Sequence, residues 1–157
     1  KLTRRPASFQ QMRAGIRNIL DAGARLISNT CVTADNYELL PELADFLLAE
    51  GVRESQIWNF VEFGDIGQGD SHVRFADSVP KLLEAAARLK QGGNRVSLSW
   101  WPACLIGEHR DALDNHQAFT LIHSRFAERM HANADFGCAH AGGCAELGRS
   151  CIGINER

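Results

Sequence analysis

Arg25-Leu26-Ile27-Ser28-Asn29-Thr30-Cys31-Val32-Thr33 is short and rich in β-branched side chains, the composition of a buried strand. Alternation puts Ile27, Asn29, Cys31 and Thr33 on one face and Leu26, Ser28, Thr30 and Val32 on the other. Upstream, Phe9, Met12, Ile16, Ile19 and Leu20 recur at helical spacing behind Ser8, a candidate N-cap, and Ala22-Gly23 stops the run. Downstream, Asp35-Asn36 is placed to cap a second helix carrying Leu39, Leu40, Leu43, Phe46 and Leu47 on one face, with Gly51 at its end. A second strand reads from Gln56 to Phe63 and runs into the loop Gly64 to Asp70; a third helix reads from about Ser78 to Lys90. Gly92-Gly93 then leads to a third strand, Arg95 to Ser99.

Helix, strand, helix, strand, helix, strand is the order of a parallel sheet, because each connection is long enough for a crossover. A parallel sheet needs both faces covered or must close on itself, and three strands do neither. Ser97 and Ser99 alternate with Val96 and Leu98 as Asn29 alternates with its neighbours, so polar residues can face a lumen while apolar ones meet helices. The expected architecture is α/β: a partial (β/α) barrel with parallel strands over residues 1–100, then a helical, cysteine-rich tail over 101–157. In that tail a helix is expected from about Asp114 to His131, with Phe119, Ile122, Phe126 and Met130 on one face.

The chain has 157 residues, 45% of them hydrophobic, enough for one ordinary domain with a core. A formal net charge of -2, with no basic run beyond Arg4-Arg5, excludes nucleic-acid or anionic-membrane binding driven by bulk charge. No apolar stretch approaches the ~18 residues of a membrane span and the N-terminus has no signal-peptide pattern, so a soluble, cytoplasmic protein with reduced thiols is expected. The first residue is Lys rather than Met, which fits a piece of a longer protein.

Cys138, Cys144 and Cys151 lie in a Gly/Ala-rich stretch, and Cys104 stands upstream in Trp-Trp-Pro-Ala-Cys. Four soft thiolates suit zinc or an iron-sulfur cluster and do not suit magnesium or calcium. The spacing lacks the Cys-x2-Cys pair of zinc ribbons, which favours a cluster. The alternatives are thiols packed as small hydrophobes, or disulfides in an exported protein. His140, inside the cysteine loop, is the one histidine placed to join such a site; His116 and His123, seven apart on the expected tail helix, read as solvated helix surface.

Ser-Phe-x-Gln-x3-Gly-Ile-x-Asn-Ile-Leu at 8–20, Asn-Thr-Cys-Val-Thr-x2-Asn at 29–36, Leu-Pro-Glu-Leu-Ala at 40–44 and Asn-Phe-Val-Glu-Phe-Gly at 59–64 together resemble the C-terminal half of a radical S-adenosylmethionine (radical SAM) enzyme. The resemblance covers residues 8 to 100 as barrel, with the cysteine segment as a C-terminal extension. It implies an enzyme that modifies a peptide or small-molecule substrate, with S-adenosylmethionine as cofactor of the full-length protein. It also implies an auxiliary iron-sulfur cluster, 4Fe-4S in type, on Cys104, Cys138, Cys144 and Cys151. Asn29, Thr33 and Asn59 are the implied lumen contacts for the cofactor's adenosine. The defining Cys-x3-Cys-x2-Cys loop is absent, so the chain alone is expected to be inactive and to pair with a missing N-terminal half or with a second copy. The competing expectation is a non-catalytic, zinc-stabilised α/β interaction module.

Other residues carry milder readings. Cys31 reads as core, Asn36 as a helix cap, Asp65 as a solvated loop carboxylate, and Glu62 as either loop or site at the carboxyl end of its strand. Trp100 and Trp101 read as core, or as a cover for a substrate mouth.

Overall fold

A computed structural model describes residues 6–61, 71–115, 136–138, 140, 142–147, 151 and 154–155 of the chain. Three helices, α1 (Ser8–Asp21), α2 (Leu40–Ala49) and α3 (Phe75–Gln91), alternate with three strands, β1 (Ile27–Val32), β2 (Glu54–Asn59) and β3 (Arg95–Ser99). The strands are parallel in the order β1-β2-β3, with Thr30 opposite Ile57 and Ile57 opposite Leu98. Among the described residues the protein is therefore mixed α/β with an open three-stranded parallel sheet, and these strands do not close into a barrel.

The apolar side chains choose which sheet face is covered. Val32, Ile57, Val96 and Leu98 form one core with Leu40, Ala44 and Leu47 of α2 and Leu82, Ala85, Ala86 and Leu89 of α3. Burying each large side chain of this set stabilises the fold by about 1.5–3 kcal/mol. The opposite face presents Ile27, Asn29 and Cys31, all exposed, beside Glu54, Gln56 and Trp58, all half-buried. Gly51 (φ +83°) and Gly93 (φ +77°) end α2 and α3 in the left-handed region that glycine enters without a Cβ penalty.

Helix α1 buries no residue fully. It rests on α2 through Phe9 and Phe46, ring centroids 5.5 Å apart, and through Ile16. Arg13 bonds Glu50 Oε1 from Nε (2.8 Å) and Nη2 (2.5 Å), and Arg17 reaches the other oxygen at 3.4 Å. Phe9, Met12 and Ile19 remain exposed along this helix, and no strand among the described residues pairs with the outer edge of β1. No described helix is long and apolar enough to cross a membrane.

Several local expectations change. Ser8 is the first helical residue, not the cap; Ala7 precedes it at φ 63° with no side-chain capping bond. Asn36 caps no helix with its side chain. Its Oδ1 accepts from the Thr33 N–H at 2.8 Å and its Nδ2 donates to the Cys31 carbonyl at 2.9 Å, so the amide instead fastens the turn leaving β1. A 3₁₀ turn, Tyr37–Leu39, then feeds α2, leaving Leu39 59% exposed. Helix α3 begins three residues early because Arg74 is extended and its carbonyl starts the helix, accepting from Asp77 and Ser78. Strand β2 is shorter and earlier than expected; Glu62 and the loop 64–70, with Asp65, lie outside the described residues.

The core continues past Ser99. Trp101, Ile106 and Ala112 belong to it, a 3₁₀ segment spans Gly107–Ala112, and Leu113 bridges in parallel to Leu98 on the outer edge of β3. The expected tail helix falls largely on residues 116–135, outside the described residues. Around the cysteines, β4 (Phe136–Gly137) pairs antiparallel with β5 (Ile154–Asn155), an element the helical spacing did not announce.

Candidate functional site

The sheet face on which no described helix lies, the uncovered face, is built in rungs of register partners: Ile27–Glu54–Arg95, then Asn29–Gln56–Ser97, then Cys31–Trp58–Ser99, its carboxyl-end rung partly buried all the same. At the amino end, Ile27, Glu54, Gln56, Arg95 and Ser97 of these rungs border a cavity of about 190 Å³ together with Arg25, Ser55 and Asp114. Glu54 holds Arg25 in a two-pronged pair (2.8 and 2.5 Å) and has Arg95 at 3.7 Å. Hydrogen bonding to Arg25, reinforced by its charge, lowers the Glu54 pKa and raises that of Arg25. The Ser97 hydroxyl donates to Asp114 Oδ2 at 3.3 Å, and the Asn29 amide donates to Gln56 Oε1 at 3.4 Å.

The carboxyl-end rung differs in character. Trp58 Nε1 and Ser99 Oγ are both buried, and neither finds a hydrogen-bond partner among the described residues. Directly after Ser99, Trp100 sits at φ 67°, a left-handed conformation that costs a bulky residue about 1–3 kcal/mol. Asn115 fixes it: Oδ1 accepts from the Trp100 N–H at 2.7 Å and Nδ2 donates to the Trp101 carbonyl at 2.8 Å. Trp101 is core, fully buried, with Nε1 donating to the Ile57 carbonyl at 3.1 Å.

Of the residues implied as adenosine contacts, Asn29 lies exposed on the uncovered face and Thr33 is half-buried just past β1. Asn59 is 7% exposed and opposite Val32, on the helix-covered face. The structure does not gather the three on one face. Cys31, expected in the core, is exposed on the uncovered face, where neighbouring protein still desolvates its thiol and raises the pKa.

The four candidate metal ligands are described. Cys104 is exposed in a 3₁₀ turn (Ala103–Leu105), Cys138 and Cys144 are half-buried, and Cys151 is buried; none of the five cysteines is in a disulfide. Among the described residues no three His, Cys, Asp or Glu side chains stand together as a metal-holding group. His140 is exposed and borders an open cavity of about 340 Å³ with Gly142, Gly143 and Cys144. His109 is 8% exposed, and His116, His123 and His131 lie outside the described residues.

The sequence singles out Trp58 in no role, Ser99 only as one of the polar residues that can face a lumen, and the Arg25–Glu54–Arg95 group not at all. Parity contained the first two: Ile57 and Leu98 must face the core, so Trp58 and Ser99 must face away. The ion group joins three strand starts far apart in the chain, and only register brings it together. No protein-family model matches the chain, and neither a curated protein nor a solved structure matches it.

Proposed function

We propose that this chain supplies consecutive β/α units of a radical SAM-type (β/α) barrel that modifies a peptide or small-molecule substrate. The observation that carries the reading is the two-faced sheet: among the described residues helices cover one side only, and the other side runs from exposed Asn29 through half-buried Gln56 to half-buried Ser97, whereas parallel sheets occur almost only with both faces covered, as closure into a barrel would supply. The unpaired edge of β1 and the exposed apolar residues of α1 suit a further β/α unit, from an N-terminal half or a second copy. S-adenosylmethionine would be the cofactor of the assembled barrel; with Asn59 on the covered face, Asn29 and Thr33 are the two implied contacts left to meet it.

The cysteines are proposed as ligands of an auxiliary iron-sulfur cluster. The donor chemistry fits, but the described arrangement does not assemble three of them, so no chemical step is assigned to the cluster. Metal binding commonly organises its own ligands, since the binding energy is spent on folding. Anaerobic reconstitution with iron and sulfide, read by metal content and thiolate-to-iron absorption, is the test. Replacing Cys104, Cys138, Cys144 or Cys151 by Ala is expected to lower bound iron, while Cys31→Ala leaves it intact. Equal loss from Cys31→Ala defeats the assignment, and colourless protein with stoichiometric zinc selects the structural module instead.

A further inference from the structure

We propose that Trp58 and Ser99 form a subsite for a neutral amide group, the chemistry of a peptide bond. The two residues are register partners on the uncovered sheet face, so their side chains stand about 5 Å apart at the carboxyl end of adjacent parallel strands. Ser99 is 1% exposed, and both its hydroxyl and the Trp58 indole nitrogen are buried without a partner among the described residues. A buried polar group left unpaired costs about 1–3 kcal/mol, and here two such groups adjoin. Structures keep such pairs where a ligand or an ordered water completes them.

The chemistry of the two groups selects the ligand. An indole nitrogen donates and never accepts, so what faces Trp58 must be an acceptor. A hydroxyl accepts as well as donates, so Ser99 can take an N–H from the same ligand group. A carboxylate is disfavoured, because Asp114 already stands on Ser97, one rung below on the same face. A cation is disfavoured because the indole nitrogen offers only a donor. A group that offers C=O to Trp58 and N–H to Ser99 without charge is an amide. The strained, clamped Trp100 beside Ser99 is consistent with this placement, since backbone strain persists where surrounding contacts over-determine it and collects at binding sites. The inference rests on the proposed reading only in taking the uncovered face as the substrate side; it requires neither iron nor S-adenosylmethionine.

The test is titration of the ¹⁵N-labelled full chain with N-acetylglycinamide, followed through its three tryptophan indole N–H resonances. Trp101, already bonded to the Ile57 carbonyl, is the internal control, and Trp58→Phe assigns the Trp58 signal. That signal is expected to move downfield and saturate with the amide, to ignore acetate, and to need about tenfold more amide in Ser99→Ala, the loss of roughly one hydrogen bond. If Ser99→Ala does not fold, saturation transfer to the amide's methyl group, present in wild type and lost in Trp58→Phe, reads the same contact. No saturable shift, an equal response to acetate, or a cross-peak from Trp58 Nε1–H to a long-lived water overturns the subsite. Saturable amide binding in iron-free protein stands whatever the cysteine variants show, so the two readings fail separately.

Discussion

Replacing Trp101 by Phe tests whether the segment after β3 is an integral part of the sheet's core. Trp101 is 0% exposed, donates Nε1–H to the Ile57 carbonyl at 3.1 Å, and meets Phe75 edge-on at 6.0 Å. Phenylalanine keeps a ring near Phe75 but removes the donor and roughly 35 Å³ of volume; at about 24 cal/mol per Å³ the void costs close to 1 kcal/mol. Loss of the buried bond, with the Ile57 carbonyl deprived of one partner, adds about 1–1.5 kcal/mol. The expected destabilisation is about 2–2.5 kcal/mol, which at a urea m-value of about 1–3 kcal/mol/M lowers the midpoint by roughly 0.7–2.5 M. Equilibrium urea unfolding followed by far-UV circular dichroism measures it. A midpoint within about 0.2 M of wild type refutes the reasoning, because the indole would then be neither buried nor bonded in solution.

Three further outcomes follow from local geometry. Gly92→Ala drives a Cβ to 2.7 Å from Leu48 Cδ1 and 3.1 Å from Cγ, so thermal unfolding is expected to show a loss of about 1–3 kcal/mol, whereas Gly15→Ala in α1, with nothing within 4 Å, is expected to gain about 0.5–1 kcal/mol; the opposite order contradicts the α2–α3 packing. Arg25 depresses the Glu54 pKa, so this carboxylate's contribution is fully present above its unfolded value of roughly 4.3 and is lost as pH falls through the lower folded value; the stability gap between wild type and Glu54→Gln should close across that acid window, and a gap unchanged down to the acid limit denies the pair. If exposed Met12 and Ile19 mark a face that takes a neighbouring β/α unit, wild type should self-associate at micromolar concentration in sedimentation, and Met12→Gln with Ile19→Gln should shift it toward monomer; a wild type that is already monomeric, or a double variant of unchanged mass, removes that role from α1.

What could be read from the chain, and what could not, follows from the range over which each feature is decided. Strand β3 lies where alternation and Gly92-Gly93 put it, because both cues are local. Asn36 fastens a turn where a helix cap is expected, because Asn serves caps and turns equally well; the deciding partners, the Thr33 N–H and the Cys31 carbonyl, exist only once β1 has a definite end. Face assignment failed at Asn59 for a different reason: a parallel strand has no polarity until one residue is known to be in the core, and in β2 both Ile57 and Trp58 are apolar enough to claim it. Leu98 resolves the choice, since β3 pairs it with Ile57, and the two helices cover that side. Once Ile57 is fixed inward, Asn59 follows it into the covered layer and Trp58 must turn outward with Cys31 and Ser99. The same step that removes Asn59 from the uncovered face thus places upon it an indole N–H that is buried and has no partner among the described residues, at the end of the sheet where the chain holds Trp100 in strain.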